Sequence, residues 1–228
     1  MRMSRRMGLL GGKKLPPGLP TLAELFADMT VIKQNGVNAK LGTYVKVDEL
    51  DFNANPSIYV FAFCYNSFAI HHLLSNGSEY NKITLYRATN DRNATNIYIS
   101  GTSCYLSKDG SKETAVYGGT IIAATFPSYT DDQISAVFGN ISVKNSAGRE
   151  NSSKDTIYLP NTVITGKIIL TACNGAMCAA PVTSPTEYIC TLNKGSIEAR
   201  NYVDSSKTYL SINGTSPASV YGGTILTI

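Results

Sequence analysis

The residues able to do chemistry are few, and their spacing matches no catalytic or metal-binding pattern. There are two histidines, His71 and His72, and they are adjacent. On a β-strand, neighbouring side chains point to opposite faces. The two imidazoles therefore cannot share a metal ion, nor form a base with its orienting partner, and are expected as polar residues at a strand end. Two acidic clusters, Asp48-Glu49-Asp51 and Asp131-Asp132, fall where loops are expected. Oxygen-rich loops can hold calcium, but no full EF-hand spacing is present, so solvated loop charges are the expectation. No Walker loop, Gly-x-Ser-x-Gly elbow or His-Glu-x-x-His motif occurs. The reading is a protein that is not an enzyme, with no catalytic residue, no cofactor and no metal.

The cysteines are Cys64, Cys104, Cys173, Cys178 and Cys190. Their number is odd, and four residues rather than two separate Cys173 from Cys178, so no zinc signature is present. Free, buried thiols in a reducing cytosol are expected. A Cys173–Cys178 disulfide is the alternative. Asn76, Asn93, Asn140, Asn151 and Asn213 each begin an Asn-x-Ser/Thr sequon. The apolar stretch behind the basic start, Met7-Gly8-Leu9-Leu10, is too short for a secretory signal of about 7–15 apolar residues, so glycosylation is not expected. No run approaches the roughly 20 apolar residues of a membrane span.

These residues must be carried on strands. The charged fraction is 16%, well below the roughly 25% of ordinary soluble domains, and Ser, Thr, Asn, Gly and Tyr make up the difference. Such a composition suits pleated, half-exposed sheets. A chain of 228 residues is long enough for two domains of about 100 residues each. Its net charge of +4 is concentrated at one end: Arg2, Arg5, Arg6, Lys13 and Lys14 stand in the first 14 residues without an acid. The rest is nearly neutral. So short a basic tail, with no aromatic residue interleaved, predicts no nucleic-acid partner.

Leu15-Pro16-Pro17-Gly18-Leu19-Pro20 reads as an extended arm, because proline removes backbone donors. Thr21 and Glu24 form a capping box ahead of Leu22, Leu25, Phe26 and Met29 on one face, and this is the one helix expected. Beyond Met29, short apolar or alternating runs are punctuated by Asn35-Gly36, Asn76-Gly77, Asp109-Gly110, Asn174-Gly175 and Asn213-Gly214. These dipeptides favour tight turns. The pattern is that of an all-β sandwich or barrel.

An internal repeat organises the strands. Tyr105-Leu106-Ser107, Asp109-Gly110 and Val116-Tyr117-Gly118-Gly119-Thr120-Ile121 recur without a gap 104 residues later. The second copy reads Tyr209-Leu210-Ser211, Asn213-Gly214 and Val220-Tyr221-Gly222-Gly223-Thr224-Ile225. Upstream, residues 58–64 parallel residues 167–173. A period of this length is a whole small domain rather than a solenoid repeat. The expected organisation is an arm and helix over 1–29, a β-sandwich over 30–128 and its repeat over 135–228, with a linker at 127–133. Each copy is expected to end in the same hairpin. Tyr117, Gly118 and Gly119, and their counterparts Tyr221, Gly222 and Gly223, read as structural: a bulge or close backbone approach at the glycines, a packing anchor at the tyrosine.

The start, Met3-Ser4-Arg5-Arg6-Met7-Gly8-Leu9-Leu10-Gly11-Gly12-Lys13-Lys14-Leu15-Pro16, resembles the N-termini of tail-associated and other virion proteins of Firmicutes phages and prophages. The Val-Tyr-Gly-Gly-Thr-Ile ending resembles terminal β-domains of such proteins. The resemblance implies a virion component assembled in the bacterial cytoplasm: a tail fibre or baseplate part, or a head fibre or capsid decoration protein. Two tandem immunoglobulin-like β-sandwich domains would follow an anchoring arm. Arg2, Arg5, Arg6, Leu9, Leu10, Lys13, Lys14 and Leu15 are the expected partner-anchoring residues, with other virion proteins as partners. A homo-oligomer and a host-surface glycan or protein ligand are further expectations. A bacterial surface adhesin or a glycan-binding lectin is the alternative.

Overall fold

The computed structural model describes residues 18–75, 80–88, 94–164, 168–182, 192–194 and 198–228. The chain is mostly β, and every strand pairing among the described residues is antiparallel. Helix α1, Leu22–Asp28, begins at the expected capping box: Thr21 N–H donates to Glu24 Oε2 at 2.6 Å, and Glu24 N–H to Thr21 Oγ1 at 3.2 Å. The residues read as a linker instead lead into a second helix, α2, Asp131–Phe138. Thr130 and Gln133 form its capping box, with backbone–side-chain bonds of 3.0 and 3.3 Å. Glutamine serves in place of glutamate, and Ile134, Val137 and Phe138 form the buried face.

In the first half β1, Thr30–Tyr44, β8, Ala115–Thr125, β3, Ser57–Cys64, β4, Ser67–Ser75, and β5, Tyr80–Ala88, lie side by side in that order. A smaller sheet holds β2, Lys46–Val47, β7, Ser103–Ser107, and β6, Asn96–Ser100. In the second half β9, Asn145–Thr156, β16, Ser219–Thr227, β11, Ile168–Cys173, β12, Ala176–Pro181, and β13, Leu192–Lys194, repeat the first order strand for strand. So do β10, Tyr158–Pro160, β15, Lys207–Ser211, and β14, Arg200–Val203.

The repeated segments do not form the expected hairpin. β7 and β8 lie in different sheets, as do β15 and β16. The turn between them folds around a buried serine. Ser107 Oγ donates to Lys112 O and accepts from Gly110 N at 2.8 Å; Ser211 Oγ donates to Ser216 O at 2.6 Å and accepts from Gly214 N at 2.8 Å. Nor is Asn35-Gly36 a turn: it lies inside β1, opposite Ile121 and Thr120. Asn174-Gly175 does turn between β11 and β12, while Asn76-Gly77 lies outside the described residues.

Three apolar clusters hold the layers together. Val47, Ile58, Val60, Ile97, Leu106 and Ile121 fill the space between the two sheets of the first half. Leu159, Ile169, Cys178, Leu210 and Ile225 do so in the second. The third cluster belongs to both halves: Phe61, Phe63, Phe68 and Ile122 meet Leu170, Met177 and Leu226, with Phe26 of α1 and Phe138 of α2 packed beside them. Phe26, Phe61 and Phe138 have ring centroids 5.7 to 6.3 Å apart. The halves are therefore fused through one core rather than strung end to end, and a two-fold pseudo-symmetry relates them.

Candidate functional site

The glycines of the repeat lie on that pseudo-symmetry. Gly118 and Gly222 face each other; a Cβ on Gly118 would lie 2.1 Å from the Cα of Gly222. Gly119 and Gly223 each lie under a leucine, with Leu106 Cδ1 and Leu210 Cδ1 both 2.7 Å from where a Cβ would stand. Gly36 lies against Gly175 of the other half, and Gly148, its counterpart by register, against Tyr65 and Asn66. Polar contacts repeat the relation. Tyr221 N–H donates to Asn38 Oδ1 at 2.6 Å, and Tyr117 N–H donates to the Glu150 carboxylate. Burial holds the Glu150 carboxyl above its ordinary range. Cys64 Sγ also approaches it, at 3.7 Å. The rings of Tyr117 and Tyr221 are half-buried, and Lys154 Nζ stands 5.2 Å from the centre of Tyr221. Arg2, Arg5, Arg6, Leu9, Leu10, Lys13, Lys14 and Leu15 lie outside the described residues.

The histidines are not at a strand end. Both sit within β4 and are buried, His71 with 0% and His72 with 3% of its surface exposed. Burial is tolerated because each ring finds partners. His71 Nε2 lies 2.9 Å from the carbonyl of Thr95, which can only accept, so the proton is on Nε2 and Nδ1 accepts from Thr84 Oγ1 at 3.1 Å. Desolvation pushes the His71 pKa down to about 4.

His72 faces the opposite side and belongs to a polar cluster. Its Nε2 lies 2.6 Å from Ser57 Oγ and 3.5 Å from Asp131 Oδ1. Ser57 Oγ donates to Asp131 Oδ1 at 2.7 Å, and Tyr59 Oη to the same oxygen at 2.5 Å. The Tyr59 and His72 rings stack with centroids 4.2 Å apart and an 8° interplanar angle. The residue types are those of a serine–histidine–aspartate triad, but the order is different. In a triad the carboxylate holds one ring nitrogen and the serine meets the other. Here serine and aspartate converge on Nε2. The single Ser57 proton goes to Asp131, so His72 donates to Ser57 and cannot remove that proton. Desolvation, its largest influence, lowers the His72 pKa, while the adjacent Asp131 raises it. Burial raises the Tyr59 pKa further from its ordinary value.

Asp131 is thus not a loop charge: it opens the first turn of α2 and lines a cleft of about 330 Å³ with Asn55, Ser57, Tyr59, Phe126, Tyr129 and neighbours. The capping box at Thr130 and Gln133 could have revealed its position. Ser57 and Tyr59 carried no signal, because only the β3–β4 register, Tyr59 opposite His72, brings them there.

Cys64, Cys104 and Cys173 are free and buried, whereas Cys178 is disulfide-bonded. This corrects the expectation of free thiols throughout, and the Cys173–Cys178 alternative is not formed. In the hairpin register Cys173 faces Ala176 and Cys178 faces Thr171, so the two cysteines are not opposite one another. Among the described residues, no group of three or more His, Cys, Asp or Glu is placed to hold a metal ion.

Comparison of the chain with protein families, curated proteins and solved structures finds no match in any of the three.

Proposed function

We propose that the chain is a non-enzymatic structural and display protein of a tailed-phage virion, attached through its N-terminal residues and presenting a duplicated β-body. The observation that carries the structural part is the fusion of the two halves through one core and the Gly118–Gly222 contact. Such a body resists bending between halves, as a display element must. The resemblance of residues 3–16 to virion-protein N-termini supports the location. In this reading each half is an immunoglobulin-like β-sandwich of a five-stranded and a three-stranded sheet. Labelled protein located by electron microscopy on intact particles tests the proposal, together with a chain lacking residues 1–17. Particle incorporation of the full chain and loss of incorporation for the shortened one are expected. Normal incorporation of the shortened chain overturns attachment through the arm, and absence from particles overturns the virion role.

A second reading, a surface adhesin or glycan-binding module, is favoured by two observations. Disulfides such as that of Cys178 persist in oxidising compartments. The three-stranded sheets also carry rows of tyrosines, Tyr98 and Tyr105 at 6.0 Å and Tyr158, Tyr209 and Tyr202 at 5.4 and 6.1 Å. Glycan-array binding by the intact protein separates this reading from the first.

A further inference from the structure

The duplication supplies an internal control for the His72 cluster. Tyr59 pairs with His72 across β3 and β4, and at the same place in the second half Ile168 pairs with Pro181. Thr130 caps α2 as Thr21 caps α1, so Leu22 stands where Asp131 stands. The second crevice, about 420 Å³, is lined among the described residues by Ala23, Phe26, Ala27, Ile168, Ala179, Ala180 and Pro181, all apolar. Among the described residues, the second half therefore places no polar cluster at this position. At the corresponding place the first half instead sets a buried histidine and a carboxylate.

The chemistry of that first cleft is one-sided. Among the described residues, no lysine or arginine lines it. Asp131 accepts from two neutral hydroxyls on Oδ1, and its side chain is 44% exposed. Its one ion-pair neighbour among the described residues is His72, a neutral donor at neutral pH. A carboxylate held in place by hydroxyls, with no lysine or arginine paired to it among the described residues and flanked by Tyr129 and Phe126, is complementary to a positive group with an apolar body. An anion would meet the carboxylate without a counter-charge, and a purely apolar ligand would leave Asp131 desolvated.

We infer that the cleft between α2 and β3 is a binding site for an organic cation, an ammonium group whose charge meets Asp131 and whose carbon chain lies against Tyr129 and Phe126. This site is independent of where the protein is located and goes beyond its role as a scaffold.

Three probes of one size and different charge test it on the full chain: butylammonium, butanol and butyrate, titrated at pH 7.5 and followed by NMR shifts of Tyr59, Tyr129 and Asp131. Butylammonium is expected to saturate those shifts at least about ten-fold more tightly than butanol, with no saturation by butyrate. Asp131→Asn is expected to remove the preference for the cation, and Asp132→Asn to keep it. Asp131→Asn could also loosen α2, so its thermal transition is measured alongside, and Tyr129→Ala serves as a second variant that weakens butylammonium binding with the carboxylate intact. Equal affinity for butanol and butylammonium, saturation by butyrate, no shifts at these residues, or an unchanged preference in folded Asp131→Asn would each overturn the inference.

Discussion

Gly118 and Gly222 meet backbone to backbone: a Cβ on Gly118 would lie 2.1 Å from the Cα of Gly222, and a Cβ on Gly222 would lie 2.3 Å from the Cα of Gly118. Neither side can yield as a flexible side chain would. Gly118→Ala and Gly222→Ala are each expected to cost about 2–4 kcal/mol, the upper range for an overpacked site. Gly42→Ala is the control, since its Cβ would meet only Ala115, at an ordinary 3.6 Å from its Cβ and 4.0 Å from its carbonyl carbon. That variant is expected to be neutral or slightly stabilising. Urea unfolding of the three variants measures the difference. Near-native stability of Gly118→Ala would show that the halves do not depend on this contact.

Acid should destabilise the fold through His71. The unfolded histidine takes up a proton near pH 6.5, while the folded one resists until about 4. Between these values protons bind the unfolded chain preferentially. Stability is therefore full above about pH 6.5, falls as the pH is lowered, and levels off below about 4, with a total loss of about 3 kcal/mol from this group. The carboxylates held low by hydrogen bonds, half-buried Asp48 by Ser103 and exposed Asp109 by Ser111, act in a lower window, below the ordinary carboxylate pKa. Urea unfolding at intervals from pH 7.5 to 4.5 is expected to show a shallower slope for His71→Gln than for the natural chain. Parallel slopes would locate the acid sensitivity elsewhere.

Ser107 and Ser211 make the same two bonds in the two copies, to the Lys112 and Ser216 carbonyls and from the Gly110 and Gly214 amides. Both are fully buried. Removing either hydroxyl strands a carbonyl and an amide at the crossing between sheets. Ser107→Ala and Ser211→Ala are each expected to cost about 1–3 kcal/mol. Costs that differ several-fold would show that the turns are alike in geometry but not in burden.

The repeat made the all-β architecture and the equality of the halves readable, because Tyr-Leu-Ser and Val-Tyr-Gly-Gly-Thr-Ile recur in register. It did not reveal which strands pair. A serine-centred crossing and a tight hairpin draw on the same Asp/Asn-Gly dipeptide, and only the sheets' shared cores separate them. Asn35-Gly36 misled for a related reason: Gly36 is required by the approach of Gly175, a contact between distant segments, not by a turn. Helix α2 was legible in principle from Thr130 and Gln133. The cluster of Ser57, Tyr59, His72 and Asp131 was not, because residues from β3, β4 and α2 meet only after both halves have folded together.

The cysteines give a test that bears on where the protein works. Cys178 is bonded, and Cys64, Cys104 and Cys173 are free thiols whose pKa values are raised chiefly by burial, with Cys104 and Cys173 pushed up to about 12. Buried, protonated thiols react slowly in the folded state. Alkylation of the unreduced protein in denaturant, mapped by mass spectrometry, is expected to label Cys64, Cys104 and Cys173 and to spare Cys178 until a reductant is added. Because a native disulfide typically contributes about 2–4 kcal/mol, reductant is expected to lower the melting temperature of the natural chain by several degrees. Cys178→Ala should already melt at the lower temperature and ignore the reductant, while Cys173→Ala should keep the full response. Labelling of Cys178 before reduction, in protein isolated from its native compartment, would mean that the protein works in a reducing environment, which removes one of the two supports for the surface-adhesin reading and favours assembly in the cytoplasm.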